Sequence, residues 1–267
     1  GRWSWMMYDT DHGFNFENDT VYKRADLQRV LGDEINERTT VLLQQLLTNE
    51  SVKNCFINIV SDQINSCFKP DYVHSKVDEF NARLASSRAE HYNRWRSGND
   101  EGETIKVFAT ERPAYMREHT RDHFNLGDDI DIIVSKRGDG KVQLNSLLID
   151  ENLPGISDVE APYPWSGVYY ADVPVQLKAV DTKTAIFSHW EGDIPAELEN
   201  NREIEIAFSE NSSVTAVFTE AISEVVHYWH FNDLKKDELT SVESDFSATL
   251  EKGLITYAGS GDGYMDR

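Results

Sequence analysis

The chain has 267 residues, of which 47 are acidic and 26 basic, for a formal net charge of −21. That balance repels nucleic-acid phosphates and anionic membrane surfaces, so neither is expected as a partner, although a nucleotide can still bind locally through a metal. Apolar residues at 39%, with 12 Phe, 11 Tyr and 6 Trp, suffice for packed cores and exclude a disordered chain, and no run is long and apolar enough to span a membrane.

The first element is the stretch Trp5-Met6-Met7-Tyr8-Asp9-Thr10-Asp11-His12-Gly13-Phe14. Large apolar residues end in two acids one position apart, then a glycine, as when a buried strand hands over to a turn. Strand side chains repeat every second residue, so Asp9 and Asp11 share a face. Two close carboxylates repel unless a cation lies between them, and oxygen ligands suit Mg²⁺ or Ca²⁺. Asp-x-Asp before Gly is equally the pattern of a plain surface turn, and both readings stand. His12 reads as a solvated turn residue rather than a third ligand. Beginning at Gly1 in mid-strand, the sequence reads as an internal fragment.

Residues 15–38 are polar and predict a loop with one short helix. Val41, Leu42, Leu43, Leu46 and Leu47 predict a helix over 39–49 with a strongly buried face. Asn49 or Ser51 caps the next, where Val52, Cys55, Phe56, Ile59, Val60, Ile64 and Cys67 follow helical spacing and stop before Pro70. Cys55 and Cys67 read as buried free thiols, with no zinc or disulfide framework. A third helix starts at Asp71, carries Val73, Val77, Phe80 and Leu84 on one stripe, and ends near Ser97-Gly98. A fourth runs from Glu101 to His123, and Pro113 inside it predicts a kink or a break. Arg94 and Arg112 lie within apolar helical faces and are expected to pair with acids. His119 and His123 have metal-ligand spacing but lack the intervening Glu of a zinc helix, so they read as structural or exposed.

At Gly127-Asp128 the period changes to alternation. Ile130, Ile132 and Val134 lead into a Gly138-Asp139-Gly140 hairpin, and further alternating runs lie at 173–179, 186–190, 204–208 and 214–218, with a Pro-rich loop at 154–164. Strand character returns at Val225–Phe231 and Leu254–Tyr257. The predicted fold class is therefore α+β multidomain: a mostly helical region over 1–126, a small all-β domain over 127–221, and the start of a further, truncated β domain over 222–267.

Trp3-Ser4-Trp5-Met6-Met7-Tyr8-Asp9-Thr10-Asp11-His12-Gly13-Phe14 resembles the WxWxxxDxDxGF signature of the CotH family of kinase-like proteins. The resemblance continues through Leu46–Glu50, Phe56, Asn93-Arg94-Trp95 and Phe108–Met116, covering residues 1 to about 125. It implies the back half of an atypical kinase fold, transferring a phosphoryl group from ATP to a protein substrate with Mg²⁺ or Mn²⁺. Asp9 would stand at the metal-binding Asp of kinases, and Asp11 would be a second metal ligand or its support. The family's phosphate-binding Lys or Arg, covering loop and catalytic Asp lie upstream of the signature. No catalytic residue is therefore expected within these 267, and the chain is expected to phosphorylate nothing by itself.

Residues 128–220 resemble a divergent internalin B-type repeat of bacterial surface proteins. The resemblance rests on Gly140-Lys141-Val142, Gly167–Tyr170, Pro174–Val180, Phe187–Gly192 and Ser213–Phe218, with an insert at 150–165 longer than the repeat requires. It implies an extracellular or bacterial cell-surface location, with surface or cell-wall ligands reached through the β domains. Two functions follow: a surface-located, metal-dependent phosphotransferase, or a non-catalytic adhesion protein whose kinase-like part is degenerate.

Overall fold

A computed structural model of the chain describes residue 14, residues 20–32, 38–96 and 102–221, and three strands at 238–240, 247–251 and 254–258. The architecture is α+β, with helices in the first half and two four-stranded sheets after them. Residues 1–220 form one compact unit and 221–267 another.

The described part of the polar stretch after the signature holds a 3₁₀ turn, Val21–Lys23, and a short helix α1 (Asp26–Leu31). Helix α2 (Arg38–Leu46) follows, tied to α1 by Gln44 Nε2, which donates to Leu31 O and Gly32 O at 3.2 Å. Its predicted buried face is not buried: Val41, Leu42 and Leu46 are exposed, because among the described residues α2 packs mainly on the short α1. Amphipathic spacing shows that a face is apolar, and not that something covers it.

Helix α3 (Glu50–Asn65) is capped by Asn49, whose side chain accepts from Val52 N at 3.2 Å. Cys55 is exposed and Cys67 half-buried with its thiol 2.9 Å from Gln63 Oε1, so neither is the buried thiol predicted. The reason is rotational. The most buried face of α3 carries Asn58, Ser61, Asp62 and Asn65 beside Ile57 and Ile64, which turns Cys55 outward.

Helix α4 (Pro70–Trp95) begins at Pro70 itself, where a missing N–H costs nothing, and ends at Arg96 in the left-handed conformation. On its predicted stripe Val77 is buried, whereas Phe80 and Leu84 are more than half exposed, as is Trp95. Helix α5 (Glu103–Phe124) runs continuously through Pro113. Pro113 lacks the N–H for one backbone bond but neither breaks nor ends the helix.

The β unit is a sandwich of two sheets sharing one core. The strands are β1 (Asp129–Arg137), β2 (Lys141–Leu144), β3 (Leu147–Ile149), β4 (Trp165–Tyr170), β5 (Val175–Val180), β6 (Ala185–Gly192), β7 (Glu203–Ile206) and β8 (Ser212–Glu220). Their orders are β4-β1-β8-β6 and β3-β2-β5-β7, antiparallel throughout except for the parallel β1/β8 pair. Alternation puts Ile130, Ile132 and Val134 inside, against Val142, Leu177 and Trp190. The hairpin predicted at Gly138-Asp139-Gly140 is instead a tight turn between the two sheets, since β1 pairs with β4 and β8 and β2 with β3 and β5, and Gly140 is required there because a Cβ would sit 2.1 Å from the Phe218 ring. The long 150–165 loop sends Leu153 and Tyr163 back to the core, and Tyr163 OH donates to Ile149 O at 2.6 Å and accepts from Val142 N at 2.8 Å.

In the second compact unit, β9 (Glu238–Thr240), β10 (Ser247–Glu251) and β11 (Leu254–Ala258) form an antiparallel sheet in the order β11-β10-β9. The run at 225–231 lies outside the described residues. No helix among the described residues is long and apolar enough to cross a membrane.

Candidate functional site

Asp9, Asp11 and His12 lie outside the described residues, and among the described residues no three His, Cys, Asp or Glu cluster to hold a metal ion. Phe14, the last residue of the signature, is described. Its ring meets Phe108 of α5 edge-on, with centroids 5.4 Å apart and planes at 72°. The two rings line an apolar groove of about 340 Å³, walled by Ile59 and Ile64 of α3, by Val73 near the start of α4, and by Met116 of α5. Two motif stretches far apart in sequence, the signature and Phe108–Met116, therefore meet at one place.

Arg112 sits at the same groove. One nitrogen, Nη1, donates to Tyr22 O at 2.8 Å and Arg24 O at 2.7 Å, and Nη2 lies 3.3 Å from Asp26 Oδ2. Arg112 thus has the acid partner predicted for it and ties the 3₁₀ turn and α1 to α5. Burial pulls its guanidinium below the usual range, and the Asp26 charge opposes that pull. Arg94 differs from expectation: it is exposed near the end of α4, over the Trp95 ring at 5.1 Å, because the distal half of α4 is exposed nearly all round. His119 lies against Tyr115, with centroids 6.1 Å apart, and His123 meets Phe124 edge-on at 4.7 Å. Burial lowers the His123 pKa, favouring the neutral ring.

The polar face of α3 was not predicted. Asp62 is fully buried and accepts from Ser146 N (2.9 Å), Ser146 Oγ (2.5 Å), Tyr169 OH (2.8 Å) and Asn145 Nδ2 (3.3 Å), all from the β unit. Burial pushes its carboxyl above the ordinary Asp value, and those donors pull it back. The available signal was the polar spacing 58, 61, 62 and 65 on an otherwise apolar helix, which reads as a solvated face until its partners are seen.

Comparison with protein families finds a match to the first part of the chain. The family in question is described as CotH kinase protein, and its model matches residues 1–116, spanning Asp9, Asp11, Phe14 and the groove stretch as far as Met116. No curated protein and no solved structure matches the chain.

Proposed function

We propose that the chain belongs to a secreted or cell-surface CotH-like atypical kinase that transfers a phosphoryl group from ATP to a protein. The observation that carries this reading is the family match over 1–116, which takes in both signature carboxylates and the residues of the groove at Phe14. The donor chemistry fits a hard divalent cation: Asp9 and Asp11 offer only carboxylate oxygens, which suit Mg²⁺ or Mn²⁺. Bound there, the metal supplies charge neutralisation for the phosphates as the bond breaks. Asp9 is the principal ligand, and Asp11 is a second ligand or holds the first in place. Phe14, packed on Phe108, anchors the chain just after the two acids to α5.

The β-sandwich is proposed as a divergent internalin B-type repeat, supported by Trp190-Glu191-Gly192 on β6 and the closing strand β8. Such a repeat would put the protein outside the cell or on its surface, with surface or cell-wall ligands on the outward sheet faces. The test is label transfer from γ-labelled ATP to protein, in Mg²⁺, by the full-length protein. Transfer lost in Asp9→Asn is the expected result, and transfer retained in that variant overturns the assignment. No transfer by the wild type favours the non-catalytic adhesion reading.

A further inference from the structure

We infer that the β-sandwich is a fixed brace for the kinase-like helices, docked on a polar face of α3, and does not move as a separate module. The face consists of Asn58, Ser61, Asp62 and Asn65, all buried. Buried polar groups are costly unless each finds a partner, and here the partners come from the β unit. Asn58 Nδ2 donates to Pro174 O at 2.7 Å, and Asp62 receives its four hydrogen bonds from Asn145, Ser146 and Tyr169. Of these four, the Ser61 hydroxyl has no partner among the described residues.

The Asn65 contact shows how specific the fit is. β4 is an edge strand, paired with β1 on one side only. Val168 N donates to Asn65 Oδ1 at 3.1 Å, and Asn65 Nδ2 donates to Val168 O at 2.9 Å. The side-chain amide thus takes the place of a peptide group on a neighbouring strand and closes the edge. Arg117 of α5 locks the arrangement, donating from Nη1 to Val168 O at 2.9 Å and from Nη2 to Asn65 Oδ1 at 2.8 Å. Two helices and one strand are joined in a single knot.

The long 150–165 insert has a use in the same seam. Gly155, at φ +75°, lies so close to the turn after α3 that a Cβ would be 2.4 Å from Ser66 O. Beside the knot, Ile57 is fully buried with Tyr170 and Val173. Further along α5, Arg121 pairs with Asp129 at 2.5 Å. Separating the halves would therefore strand a buried carboxylate, reopen an edge strand and expose an apolar cluster. The gripped helices, α3 and α5, are also the ones that wall the groove at Phe14 and Arg112, so the brace sets that groove's shape. The family match ends at Met116, one residue before Arg117, so the brace lies almost wholly outside the matched region.

The test is hydrogen exchange of the intact chain, read by mass spectrometry on peptides from α3 and from β5. In the wild type, the slowest amides of both elements should exchange with the same opening free energy, as one cooperative unit. In Asn65→Ala/Arg117→Ala, α3 should exchange about tenfold to a hundredfold faster, the cost of lost charge-assisted bonds, while β5 stays protected. Arg94→Ala, on the exposed arm of α4, should change neither. Wild-type α3 opening independently of β5 overturns the inference, as does unchanged α3 protection in the double variant. If the double variant fails to fold, the wild-type comparison decides alone.

Discussion

Replacing Arg112 with alanine removes a side chain that joins α5 to the segment after the signature. Its guanidinium makes two hydrogen bonds to backbone carbonyls, at 2.8 and 2.7 Å, and one longer contact to Asp26 at 3.3 Å. Charge-assisted bonds contribute about 1.5–3 kcal/mol each when buried, but water can reach the carbonyls once Arg112 is gone, so about 1 kcal/mol apiece is the better figure. Side-chain exposures of 13% for Arg112 and 31% for Asp26 leave the ion pair partly screened, worth under about 1 kcal/mol. The sum is a destabilisation of about 2–3 kcal/mol, read by urea denaturation, with faster amide exchange across residues 20–31. Arg112→Lys should recover less than half of it, because one ammonium cannot span three acceptors in that geometry. A stability within about 0.5 kcal/mol of wild type for Arg112→Ala, the range of an ordinary surface change, would refute the reasoning.

Asp62 gives a pH-dependent difference whose sign is determined. Its folded-state pKa is raised above the ordinary 3.8, so the native chain holds that proton more tightly than the unfolded one. The contribution is fully present below the ordinary value and is lost as pH rises through the raised one. The stability of wild type minus that of Asp62→Asn should therefore fall as pH climbs from 3.8, and a difference that stays flat contradicts this. Gly155→Ala combines a left-handed backbone with a clash against Ser66 O and should cost about 2–3 kcal/mol in thermal unfolding. An unchanged melting temperature would show that the insert does not bear on the α3–α4 turn.

Much of the secondary structure was legible because local signals agreed with tertiary ones. The change of period at Gly127 and the Asn49 cap hold where they were read, whereas the turn at Gly138–Gly140 joins two sheets instead of closing a hairpin. What failed was inference from amphipathic spacing to burial. Val41, Leu42, Phe80 and Leu84 sit on helical stripes yet remain exposed, since spacing cannot name the surface that would cover them. Strands β3 and β4 were not read as strands: β3 has three residues, and β4 crowds Trp165, Tyr169 and Tyr170 inward instead of alternating cleanly. At the candidate site, the pairing of Arg112 with an acid could be anticipated from the cost of burying a lone charge. The meeting of Phe14 with Phe108, and of α3 with Val168, could not, because those contacts span roughly a hundred residues and depend on topology.

The central claim is that the signature carboxylates hold a divalent metal, and Mn²⁺ titration followed by electron paramagnetic resonance tests it most directly. The intact chain should quench the free-ion signal with one saturable site, weakened at least tenfold in Asp9→Asn and measurably in Asp11→Asn. Mn²⁺ binding that is absent in the wild type, or unchanged in both variants, would leave Asp9 and Asp11 as an ordinary turn and contradict the account.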